Sequence, residues 1–112
     1  MEHKTLKFKK ELADMILRGE KYTTWRLFDD KNITAGDVCD LLLYETKEVF
    51  SVGKVLAVRE TTFAELSSED WDGHEKFDSE ETMYTTYTNY YKQPVGPHTP
   101  LKIIKLGIQP LT

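Results

Sequence analysis

The sequence predicts an α+β fold, a small mixed β-barrel with two main flanking helices, and three observations carry that expectation. The chain has 112 residues, which makes one domain over 1–112 and leaves no room for separate lobes. Its apolar patterning switches between strand and helix periods in the order β-α-β-β-β-α-β. Three of the strand runs follow one another without a helix between them, which suits a mixed barrel better than a parallel βαβ sheet. A hydrophobic fraction of 39% beside a charged fraction of 30% is that of a domain with a packed core, so disorder is excluded.

Leu6-Lys7-Phe8-Lys9-Lys10 alternates apolar and basic residues and reads as a short strand with Leu6 and Phe8 inward. From Glu11 to Arg18, Leu12, Met15 and Ile16 recur at helical spacing, and Gly19 stands where a C-terminal cap belongs. Tyr22 to Leu27 is aromatic and β-branched and predicts a second strand, closed by Asp29-Asp30-Lys31-Asn32. Thr34-Ala35-Gly36-Asp37 is a turn leading into the apolar strand Val38 to Tyr44, and Val49 to Thr62 is a longer strand with a bulge expected at Gly53. The middle segment from Phe63 to Gly73 is the least regular. Asp78 or Ser79 caps a helix over 79–91 that places Met83, Tyr87, Tyr90 and Tyr91 on one face. A proline-rich loop from Gln93 to Pro100 precedes a last strand, Leu101 to Ile108.

Several functions are disfavoured at once. A membrane-spanning helix needs about 18–20 apolar residues in a row, and no run here is longer than Leu41-Leu42-Leu43-Tyr44. The first residues lack a signal-peptide core, so a cytoplasmic location is expected, with no membrane partner. Cys39 is the single cysteine, which rules out an internal disulfide and a thiolate zinc cluster, and its apolar strand suits an inert packed thiol. His74-Glu75-Lys76-Phe77-Asp78 opens like the zinc-protease HExxH pattern but ends on aspartate, and His3 and His98 have no reason to meet. No metal and no cofactor is expected. The net charge of −4 argues against a duplex-gripping DNA binder, yet residues 1–26 carry +3 and the rest −7, so a local patch for one short anionic ligand is compatible with the charge. The tyrosines at 84, 87, 90 and 91 read either as core or as a surface for stacking unpaired bases.

Most information lies in Gly19-Glu20-Lys21-Tyr22-Thr23-Thr24-Trp25-Arg26, which puts a cation, a hydroxyl and a second cation at a helix-to-strand junction. On an extended strand Thr24 and Arg26 share a face, whereas Lys21 points the other way. Lys21 reaches Thr24 only if the chain is still turning after the Gly19 cap; otherwise Lys21 is solvated and Thr24 an ordinary strand residue.

The pattern Gly-x-Lys-x-x-Thr-x-Arg, formed by Gly19, Lys21, Thr24 and Arg26, resembles the signature of the ASCH (activating-signal-cointegrator homology) domain, a PUA-like β-barrel family. Gly36-Asp37 before a strand is similar to that family's GD turn, and His74-Glu75-Lys76-Phe77 before a tyrosine-rich helix is similar to a stretch of its small prokaryotic members. The resemblance spans roughly residues 6–108. It implies a PUA-like barrel with a cleft floored by residues 19–26 that binds RNA or a modified pyrimidine nucleoside, with Lys21 and Arg26 on phosphate and Gly19, Tyr22 and Trp25 in the ligand site.

Some small bacterial members of that family are amidohydrolases that remove the acetyl group of N4-acetylcytidine, and the resemblance implies the same activity here as an alternative. Lys21 and Thr24 match two of that group's catalytic residues; the third is a glutamate, for which Glu75 has the best interval, with Glu69, Glu80 and Glu81 open in other registers. In that alternative Thr24 is the nucleophile, Lys21 the base and Glu75 the proton carrier, with Arg26 on the oxyanion and Tyr22 or Trp25 stacked on the base. The chain departs from the amidohydrolases in being longer and in carrying the His74-Glu75-Lys76-Phe77 stretch. A second alternative is a non-catalytic domain that meets a protein partner of unknown identity through its acidic surface, and it expects Lys21, Thr24 and Glu75 to lie apart.

Overall fold

The computed structural model describes residues 3–28 and 31–109. Its elements are β1 (Lys4–Phe8), α1 (Lys10–Leu17), β2 (Thr23–Arg26), β3 (Val38–Leu43), β4 (Val49–Thr62), α2 (Glu80–Tyr91) and β5 (Pro100–Gln109), with 3₁₀ turns at Phe63–Glu65 and Ser68–Trp71. This is the order that the patterning predicts. Asp29 and Asp30, expected to help close the second strand, lie outside the described residues.

The five strands form one mixed sheet in the order β1-β3-β4-β5-β2, curled into a half-barrel. Only the β1–β3 pair is parallel. A parallel neighbour cannot be reached by a hairpin, so α1, β2 and the following turn form the crossover from β1 to β3. That crossover leaves β1 and β2 as the two edges of the sheet.

The curl comes from two bulges in β4. The register shifts between Leu41 and Leu42 of β3, where Phe50 is the extra residue, and between Val55 and Ala57, where Leu56 is. Extra residues in one strand raise its local twist. The bulge expected at Gly53 is absent: Gly53 pairs in register with Cys39 and Ile108. A Cβ at Gly53 would meet the Leu106, Leu41 and Ile108 side chains at 3.5–3.7 Å, an ordinary packing distance, so neither a bulge nor space requires glycine there.

Two apolar clusters hold the sheet. Leu6, Phe8, Ile16, Cys39, Leu41, Ile104 and Leu106 pack on one side, and Trp25, Leu27, Phe63, Met83, Tyr87 and Ile103 on the other. Strand β5 is therefore buried on both faces, with Ile104 and Leu106 in the first cluster and Leu101 and Ile103 in the second. Cys39 is buried and its thiol is pushed up by burial, so it is a packed core residue.

Local signals set the element ends. Gly19 at φ +79° ends α1 in a Schellman motif, with the Glu20 amide donating to Met15 O and the Gly19 amide to Ile16 O. Ser79, rather than Asp78, caps α2 by accepting from the Thr82 amide at 3.1 Å. The Gly36-Asp37 turn is tied to β1, because the Asp37 carboxylate accepts from the Thr34 amide at 2.8 Å and from Lys4 Nζ at 2.7 Å. Among the described residues no helix is long and apolar enough to cross a membrane.

The irregular segment from Ser67 to Glu75 runs beside β2. Trp25 Nε1 donates to Asp70 O at 3.1 Å and Thr23 Oγ1 to Asp72 O at 2.6 Å, while the Tyr22 and Thr23 amides share Gly73 O at 2.9 and 3.0 Å. Gly73 is at φ +74°, and a Cβ on it would stand 2.6 Å from the Tyr22 ring. Gly73→Ala is therefore expected to cost about 1–2 kcal/mol in urea unfolding. A Tyr22→Ala background should recover only the steric part, and a fully neutral Gly73→Ala would show that this turn does not hold the segment.

Candidate functional site

Lys21 is the largest of the most deeply buried side chains, 2% exposed. The Schellman turn brings it inside: the Lys21 amide still donates to Met15 O at 3.2 Å, and β2 begins only at Thr23. The chain is thus still turning at Lys21, as a meeting with the strand requires. Its ammonium donates to Thr23 O at 2.8 Å and to the carboxylate of Glu75, with which it forms a buried ion pair. Glu75 arrives from the turn at Gly73 and keeps 17% side-chain exposure.

The electrostatics follow from that burial. Burial pulls the Lys21 ammonium below the ordinary lysine range and Arg26 adds to the pull, with Glu75 opposing both. Burial also acts to raise the Glu75 carboxyl, but the Lys21 and His74 neighbours outweigh it and hold the carboxyl below its usual range. His74 is pushed down to about 3, by burial first and then by the Lys21 charge, so its ring is neutral at physiological pH. Its Nδ1 lies 2.8 Å from Glu75 O and its Nε2 3.2 Å from the Tyr87 hydroxyl. A neutral ring fits both contacts when Nδ1–H donates to the carbonyl and Nε2 accepts from Tyr87. The imidazole also stacks on Trp25 at 3.8 Å.

The pair opens onto a cavity of about 650 Å³ at the seam where the two sheet edges meet. Strand β1 contributes Lys7 and Phe8, β2 contributes Thr24, Trp25 and Arg26, and α2 contributes Thr86, Tyr87, Asn89, Tyr90 and Tyr91, while Lys21, His74 and Glu75 with Lys9, Leu12, Tyr44 and Lys92 complete the wall. Arg26 stitches the seam: its Nη2 donates to Lys7 O at 3.0 Å and its guanidinium lies 4.6 Å from the Phe8 ring centre.

Lys21, Thr24, Arg26 and Glu75 therefore line one cavity, whereas Glu69, Glu80 and Glu81 do not. Gly19 is a helix cap outside it. Tyr22 is 42% exposed and covers Gly73 instead of the cavity. Trp25, 2% exposed and bonded through Nε1 to Asp70 O, is core and no platform for a base. The tyrosine stripe divides: Tyr87 is buried, Tyr91 is half-buried, and Tyr90 stands exposed at the cavity. Pattern reading did not find Tyr44, exposed at the cavity mouth, or the roles of His74 and Tyr87. Nothing in spacing marks Tyr44, and the histidine showed only as a failed zinc motif.

The neutral His74 has a measurable consequence. In the unfolded chain this ring titrates near 6.5 and in the folded chain near 3, so between those values the unfolded state binds the extra proton and stability falls as pH falls. Unfolding free energy should drop by about 2 kcal/mol from pH 7 to pH 5 through this residue. The lowered Glu75 adds its own loss only at more acidic pH. Urea melts of His74→Gln should show a flatter profile over pH 5–7, and an unchanged profile would mean that His74 is not the group responsible.

Compared by sequence, the chain matches no family model and no curated protein. Compared by structure, it superimposes on an ASCH domain from Lactobacillus crispatus with a TM-score of 0.69 at 13% identity, covering 94% of this chain and 79% of that one. A DUF984 protein from Enterococcus faecalis gives a TM-score of 0.81 at 13% identity, covering 100% and 83%. An ASCH protein from Zymomonas mobilis gives 0.64 at 13% identity, covering 92% and 65%. With its curled mixed sheet and two helices, the chain has the α+β, PUA-like fold of ASCH domains.

Proposed function

We propose that the cavity binds a pyrimidine nucleoside, free or as an unpaired residue of RNA. The observation that carries this reading is the buried Lys21–Glu75 pair in the wall of a cavity of about 650 Å³. That volume lies in the range of small-ligand sites. Two of the three Lys21 N–H donors go to Thr23 O and Glu75, which leaves one for a ligand. A carboxylate beside an ammonium complements the cytosine edge, whose N4 amino group donates while N3 and O2 accept. Tyr44 and Tyr90, both exposed at the cavity, offer faces for stacking.

A second reading, amide hydrolysis of an acylated cytidine, is favoured by one further observation: Thr24 lines the same cavity as the pair. A threonine needs a base to become a nucleophile, and burial and Arg26 pull Lys21 toward the neutral amine, the form that takes a proton. Thr24 Oγ1 then attacks the acetyl carbon as Lys21 takes its proton. The C–N4 bond breaks as that proton passes, by way of the Lys21–Glu75 pair, to the departing amine. Water releases acetate from Thr24, and the Arg26 guanidinium stabilises the oxyanion in both steps.

Calorimetric titration with cytidine and chromatography of N4-acetylcytidine test the two readings separately. Lys21→Met and Glu75→Gln should each weaken cytidine binding by at least about tenfold, since either leaves a charge unpaired. Thr24→Val should keep binding and lose hydrolysis by about a hundredfold or more. Absence of cytidine binding to the unmodified protein overturns the first reading, and undiminished turnover by Thr24→Val overturns the second.

A further inference from the structure

Resting on the nucleoside reading, we infer that the ligand of this cavity is phosphorylated and that Lys7, Lys9, Arg26 and Lys92 form its phosphate subsite. All four line the cavity, in a chain whose net charge is −4. Among the lining residues Glu75 is the single carboxylate, and Lys21 already neutralises it. That assigns Lys21 to the base end of the ligand and removes it from the phosphate.

The four cations are otherwise uncompensated. No ion pair joins Lys7, Lys9 or Lys92 to a described residue. Glu11 acts on the Tyr90 hydroxyl but lies outside the lining. Arg26 is held in place by Lys7 O and Phe8, and its Nε is buried without a hydrogen-bond partner. A guanidinium fixed in this way offers its remaining N–H groups to an oxyanion at little ordering cost. Lys9 Nζ lies over the Tyr90 ring, 4.9 Å from its centre, so a cation–π contact holds this charge at the cavity without neutralising it. A neutral nucleoside gains nothing from four such charges. A nucleotide phosphate gains charge-assisted hydrogen bonds and attraction from a distance.

The chemistry is that of a phosphate ester, which either a mononucleotide or an RNA strand supplies. NMR titrations with cytidine, cytidine 5′-monophosphate, ribose 5-phosphate and a cytidine-containing RNA trimer separate the sources. The monophosphate should bind at least about tenfold tighter than cytidine, and the advantage should shrink as salt rises from 50 to 300 mM. In a Lys9→Gln/Lys92→Gln double variant the ratio of the two affinities should approach one. A trimer preferred over the monophosphate identifies an RNA source, and the reverse a free nucleotide. Equal affinities for cytidine and its monophosphate overturn the phosphate subsite and leave the nucleoside reading standing. Ribose 5-phosphate binding that depends on Lys9 and Lys92, without any cytidine binding, supports the subsite and overturns the nucleoside reading.

Discussion

The arrangement hangs on one ion pair taken out of water. Lys21 and Glu75 each lose several kcal/mol of hydration on entering the protein, and their mutual attraction and the hydrogen bond to Thr23 O are the main offsets to that loss. A pair bought at such a cost constrains everything that delivers it. The Schellman turn at Gly19 must aim the lysine inward, and the Gly73 turn must bring the glutamate back to it. His74, neutral and bonded on both ring nitrogens, seals the rear of the pair without adding a third charge.

The fold supplies the place for that pair by leaving a seam. Because β1 pairs in parallel with β3, and β2 pairs with β5, the two edges of the half-barrel share no backbone ladder among the described residues. Unpaired edges invite aggregation unless they are covered. Here Arg26 ties one edge to the other through Lys7 O, residues 72–73 cover the start of β2, and α2 lies across the opening. The cavity is thus a by-product of the topology, and its chemistry comes from the residues that line the seam.

The parts of this architecture that were legible in the sequence are the local ones. Ser79 and Gly19 announced their helix ends, residues 101–108 announced the last strand, and the Gly19-to-Arg26 motif pointed to the fold. The bulges at Phe50 and Leu56 were not legible, because they depend on which residues of the neighbouring strand pack opposite them, and the glycine between them marks no bulge. Lys21 and Glu75 are 54 residues apart, so no spacing rule joins them; family pattern alone suggested the pairing. Trp25 looked like a surface for a base because aromatic residues in a polar motif are ambiguous until burial is known, and the structure spends it on His74.

The measurement that tests this dependence most directly is a double-mutant cycle on unfolding free energy with Lys21→Met and Glu75→Gln. Each single change should destabilise the protein by about 3 kcal/mol, because each strands its partner, whereas the double variant should lose about 4 kcal/mol instead of the additive 6, a coupling of about 2 kcal/mol. Strictly additive losses would contradict the account, since they would mean that the two charges do not depend on one another.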